Sequence, residues 1–138
     1  MRRILFASLA VVGIACADSI TIPYTQSVGL VGAWGLTSVN DKPVPSKDTG
    51  NYVGTYRYVI DSGRIVLGDS LFTDYLYYTL VNGDSVFALG DTVTGQYFVL
   101  GNTVRFHALA GYVYNAAYLN GSLVEVWGDG HTLVYVKR

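Results

Sequence analysis

Cysteine occurs once in the 138 residues, at Cys16, and has no second thiol to pair with. An intramolecular disulfide, a dithiol redox centre and a cysteine-built zinc site are therefore excluded. Proline occurs only at Pro23, Pro43 and Pro45, so residues 46–138 contain none. Strands need every amide for their ladders, and a long proline-free stretch suits them. Basic residues adjoin only at Arg2-Arg3 and Lys137-Arg138. That scatter offers no footprint for nucleic acid and no basic patch for an anionic membrane surface. No nucleophile motif, phosphate loop, paired-carboxylate motif or Asp-x-Asp calcium loop is present. The sequence thus predicts a protein that is not an enzyme and uses no cofactor. His107 and His131 are the only histidines, far apart and without ligand spacing, so both are expected at the surface and no metal site is expected.

What is present begins with Met1-Arg2-Arg3 and an apolar run from Ile4 to Ala17 that stops at Asp18. A basic start, a short apolar core and the small residues Ala15 and Ala17 predict a signal peptide over residues 1–17. The run is shorter than the roughly 20 residues of a membrane-spanning helix. Gly13-Ile14-Ala15-Cys16 resembles the lipobox of bacterial lipoproteins, which makes Cys16 a candidate lipid-attachment site. The expected location is the periplasm or the extracellular space, with a membrane anchor only if Cys16 is lipidated. Loss of residues 1–17 removes two arginines and no acid, leaving a formal charge of −3.

Residues 18–29 are mixed in character and read as a linker, and residues 30–138 as one domain. The first strand is expected over Leu30–Val39, followed by a loop over Asn40–Gly50. Short β-type runs then alternate with turn signals: Tyr52–Ile60, Arg64–Leu67, Leu71–Val81, Ser85–Leu89, Thr94–Leu100, Thr103–Leu109, Tyr112–Leu119, Ser122–Trp127 and Thr132–Lys137. Asn82-Gly83 and Asn120-Gly121 are hairpin turns. No helical period persists beyond the leader. Eight to ten antiparallel strands joined by short turns predict an all-β up-and-down barrel, with a two-sheet sandwich as the alternative. Alternation places Val104, Phe106 and Ala108 inward against Arg105 and His107. It places Tyr56, Tyr58 and Ile60 inward against Arg57, and Val124 and Val126 inward against Glu125. Asp74 shares a face with Phe72, Leu76 and Leu80. An inward Asp74 would need a tyrosine or arginine partner and would mark a pocket; the expectation is that it faces water.

Leu30-Val31-Gly32-Ala33-Trp34-Gly35-Leu36-Thr37-Ser38-Val39-Asn40-Asp41-Lys42-Pro43-Val44-Pro45 closely resembles the opening of lipocalin-like domains in small bacterial secreted proteins and lipoproteins. Gly95-Gln96-Tyr97, Gly101-Asn102 with the strand ending in Phe106, and Tyr135-Val136-Lys137-Arg138 extend the likeness to about residue 138. The resemblance implies a lipocalin-like barrel in which Trp34 packs at the floor under a late basic side chain. Arg138 is the first choice for that side chain and Lys137 the second, stacked as a cation–π pair.

Tyrosine is abundant, with twelve residues, all after residue 17. Its flat apolar ring and hydroxyl suit a pocket wall, and equally a half-exposed sheet surface. Tyr56, Tyr58, Tyr97, Tyr112, Tyr114 and Tyr118 are the candidate lining residues, and the row of Tyr112, Tyr114, Ala116 and Tyr118 is the best of them. The favoured function is a non-catalytic module that binds a small hydrophobic or aromatic molecule. The alternative is a ligand-free structural or protein-interaction module of the cell envelope, as a monomer or homodimer.

Overall fold

The computed structural model of the chain describes residues 29–53 and 55–138. The expected signal peptide, Cys16 and residues 18–28 of the linker lie outside that range. Ten strands follow in order: β1 (Gly32–Val39), β2 (Lys42–Pro43), β3 (Ser46–Val53), β4 (Tyr56–Leu67) and β5 (Leu71–Asn82), then β6 (Ser85–Leu100), β7 (Thr103–Ala108), β8 (Val113–Leu119), β9 (Ser122–Val126) and β10 (Thr132–Lys137). From β4 to β10 each strand pairs antiparallel with the next. β1 then closes the circle. It pairs with β10 from Trp34 to Val39 and with β4 from Gly32 to Gly35. The result is a closed eight-stranded up-and-down barrel, with β2 and β3 added beyond the closure. Its general type is that of calycin barrels.

Three local readings change. The loop at 40–50 contains β2 and the start of β3, and the run over Tyr52–Ile60 divides between β3 and β4. Asp61-Ser62-Gly63 is no turn: β4 continues through it by a bulge, with Ile60 opposite Tyr78 and Ser62 opposite Tyr77. Gly90-Asp91 lies inside β6, opposite Tyr77 and Leu76. These short polar stretches carry turn chemistry. A continuous neighbour, β5, offers hydrogen bonds along their whole length, and the ladder overrides the local preference.

The strand directions put the turns at 68–70, 101–102 and 120–121 at one end of the barrel, with the start of β1 and the end of β10. This is the floor. Trp34, 1% exposed, lies inside it and donates its indole Nε1 hydrogen to the Leu30 carbonyl at 2.8 Å. Lys137, not Arg138, is the cation over the indole, with Nζ 5.8 Å from the ring centroid and 2.5 Å from the Gly29 carbonyl. Parity explains the exchange. Leu133, Tyr135 and Lys137 share the inward face of β10, and Lys137 sits opposite Trp34 in the ladder. Arg138, one residue on, falls outside and crosses the wall where Gly35 leaves room.

Val104, Phe106 and Ala108 face inward as expected, and so does Ile60. β9 is the reverse of its expectation. Leu123 and Glu125 are buried inside, and Val126 is exposed. Gly95 carries the sharpest constraint in the wall, because a Cβ there would collide with the His107 carbonyl and the Phe72 ring. Around Gly128 a Cβ would meet nothing within 4 Å. Gly95→Val is expected to destabilise the barrel by about 3 kcal/mol, read as a lowered urea midpoint, and Gly128→Ala to leave it nearly unchanged. Equal midpoints for the two variants would refute the constraint.

Candidate functional site

Inside the barrel, burial is graded. Near the floor Leu67, Phe72, Tyr97 and Phe106 are closed off from water. Toward the opposite end, on the side formed by β4, β5, β6 and β8, the inward residues Tyr58, Leu76, Tyr78, Leu80 and Tyr114 are half-buried. Phe87, Leu89 and Tyr112 at that rim are exposed. The strands explain the gradient. β4 and β5 have 12 residues each and β6 has 16, against five to seven in β7 to β10. The long strands rise past the short ones, and their inner face has no opposite wall to press on.

Five of the six candidate tyrosines lie on inward strand positions, in different settings, and Tyr112 is exposed just before β8. Tyr97 is committed to the floor, donating its hydroxyl to the Gly68 carbonyl at 2.6 Å. Tyr118 meets the Trp34 ring edge-on at 6.0 Å. Tyr56 lies against Phe87 at 5.9 Å, and Tyr58 against Tyr78 at 4.7 Å. Tyr114 stacks on Phe106 at 4.8 Å, with Tyr112 beyond it at 6.1 Å. Tyr56, Tyr58, Tyr112 and Tyr114 thus sit around the less buried end, and Tyr97 and Tyr118 in the packed part.

Two acids share this interior, and both depart from the expected orientation. Asp74 faces inward, where its Oδ2 accepts the Tyr114 hydroxyl at 3.1 Å. Glu125 is 2% exposed, and its Oε2 accepts the Trp127 indole hydrogen at 3.3 Å. The remaining oxygens, Asp74 Oδ1 and Glu125 Oε1, are buried and bonded to no described residue. Burial pushes the Glu125 carboxyl up to about 8, and the neighbouring Asp74 charge adds to the rise. Burial pushes Asp74 up to about 6 against the downward pull of the Tyr114 hydrogen bond. Burial, then the charges of Asp74 and Glu125, holds Tyr114 far above the ordinary phenol value, and Tyr135 is raised by burial and the same two acids. One cluster therefore draws on β5, β8, β9 and β10. A pair of carboxylates with no motif in the sequence is assembled by the closure of the barrel.

His131 is also a correction, being 2% exposed. The turn at 127–131 folds inward, so that the Trp127 and His131 rings meet at 5.8 Å and His131 Nδ1 lies 2.8 Å from the Asp129 carboxylate. His107 remains on the outer face, edge-on to Phe98 at 5.0 Å. Among the described residues no three His, Cys, Asp or Glu side chains converge. A groove of about 490 Å³ opens on the outer wall where β1 leaves β4, between Leu36, Val44, Asp61, Gly63 and Arg138.

No protein family, curated protein or solved structure matches the chain. The structure therefore carries the functional argument alone.

Both acids titrate higher in the fold than in an unfolded chain, so the folded state binds more protons between the two values. Their effect on stability is fully favourable below about pH 4 and is lost as pH rises toward 8. Thermal midpoints are expected to fall from pH 5 to pH 8. Glu125→Gln removes the larger part of that slope and stabilises the barrel at pH 8 by on the order of 2 kcal/mol. Parallel profiles for the two proteins would contradict the assignment.

Proposed function

We propose that the protein is a non-catalytic barrel module that holds a small hydrophobic or aromatic molecule at the end away from the floor. The observation that carries this reading is the inward aromatic wall of Tyr58, Tyr78 and Tyr114, which loses its packing toward the rim at Phe87, Leu89 and Tyr112. Ring faces left half-buried on an inner wall favour an apolar guest, and a few polar atoms near them fix its orientation. An eight-stranded barrel is just wide enough for one small ligand.

The lipocalin likeness bears on the fold rather than on the ligand. Trp34 plugs the floor beneath a cation, and the opening phrase that contains it forms the closing strand β1. Export rests on the basic start and the short apolar run, and anchoring on Cys16. The module would thus work in the periplasm or outside the cell.

A second reading is favoured by a separate observation. Residues 85–94 of β6 pair with β5 on one side and with no described strand on the other, and Val86, Phe87 and Leu89 are exposed there. A free edge with apolar side chains suits strand addition by a protein partner.

Native mass spectrometry of the protein, purified gently from the cells that make it, separates the two. A stoichiometric small adduct that leaves on denaturation is the expected result. A bare monomer or a bare dimer, with no small molecule released, would overturn the binding reading, and the dimer would favour the edge.

A further inference from the structure

We infer that the bound molecule is an organic cation, an aromatic or alkyl ammonium, whose charge is met by Asp74 and Glu125. The inference rests on the barrel-binding reading and names the chemical class of its ligand.

Two carboxylates project into one barrel from opposite walls, Asp74 from β5 and Glu125 from β9. Each spends one oxygen on a neighbour and leaves the other buried without a described partner. The partners they do have, a phenol and an indole, are neutral donors. Of the described lysines and arginines, Lys42, Arg57, Arg64 and Arg105 are exposed, Arg138 crosses Gly35 outside, and Lys137 is engaged at the floor, while His131, packed on Trp127, has its Nδ1 on Asp129. Burying an ionised carboxylate without a counter-charge is costly, and burying two that repel each other costs more. Without a ligand the pair lowers this cost by holding a proton on Glu125, and a cation bound between the two free oxygens would take that proton's place.

The walls specify which cation. A divalent metal ion wants six or more oxygen ligands, or nitrogen and sulfur donors. Here the surroundings of the carboxylates are Tyr114, Tyr135 and Trp127, with Tyr58 beyond. Aromatic rings around an anionic centre match an ammonium group, which donates its N–H hydrogens to the free oxygens and faces the rings with its remaining surface. The apolar part of the ligand then extends along the tyrosine wall toward the rim.

Isothermal titration of the purified protein with 2-phenylethylamine, 2-phenylethanol and phenylacetate, which share one ring and one chain length, tests this at pH 8. The amine is expected to bind at least tenfold more tightly than the alcohol, and phenylacetate not at all. In Glu125→Gln and in Asp74→Asn, each checked for a cooperative melting transition, the preference for the amine is expected to fall toward unity while the alcohol binds as before. Equal binding of amine and alcohol by the unsubstituted protein would overturn the cation and leave the barrel reading standing. So would an amine preference that survives both substitutions. Absence of binding by all three, with no adduct in the native spectrum, would overturn both.

Discussion

Everything in this molecule depends on β1 serving two neighbours. Its first half bonds to β4 and its second to β10, with Trp34 and Gly35 common to both ladders. A strand held this way removes both edges of an eight-stranded sheet and gives its inner face an enclosed volume. Side chains on both faces of this strand secure the arrangement. Trp34 fills the floor within and is tied to Leu30, and Arg138 lies across Gly35 without. When the closure forms, residues far apart in the chain become opposite walls of one chamber.

Closure also explains why the acids matter. On an open sheet Asp74 and Glu125 would be solvated, and neither would influence the other. Inside the barrel they lose water, the Asp74 charge raises the proton affinity of Glu125, and burial with both acids holds the phenols of Tyr114 and Tyr135 neutral. The floor is packed with apolar groups and ends in a lysine over an indole, while the tyrosines and the two buried acids lie above it. Polarity in the chamber therefore runs along its axis, and a guest with one charged and one aromatic part has a defined way to lie in it.

Much of the fold was legible because it follows from period and punctuation. Asn82-Gly83 and Asn120-Gly121 mark hairpins, and Thr103–Ala108 alternates cleanly enough to assign both faces. The turn signals at Asp61-Ser62-Gly63 and Gly90-Asp91 misled because their meaning depends on whether a neighbouring strand is long enough to keep the ladder going. β5 is, and the residues became a bulge and a strand interior. The inverted reading of β9 has a different origin. Its two valines and one glutamate suggest that the charged side faces water, a rule that assumes a dry interior. Its real signal was Leu123, which shares a face with Glu125 and is fully buried.

The sequence by itself determined an all-β chain of short hairpins and the tryptophan-bearing opening strand, because both follow from local alternation and turn chemistry. Only the tertiary structure decided which strands close the barrel, that Lys137 rather than Arg138 covers Trp34, and that Asp74 and Glu125 face the same interior. The reason is physical. Facing and distance across a barrel depend on bulges, strand lengths and closure register, and these are properties of all eight strands together rather than of any segment read alone.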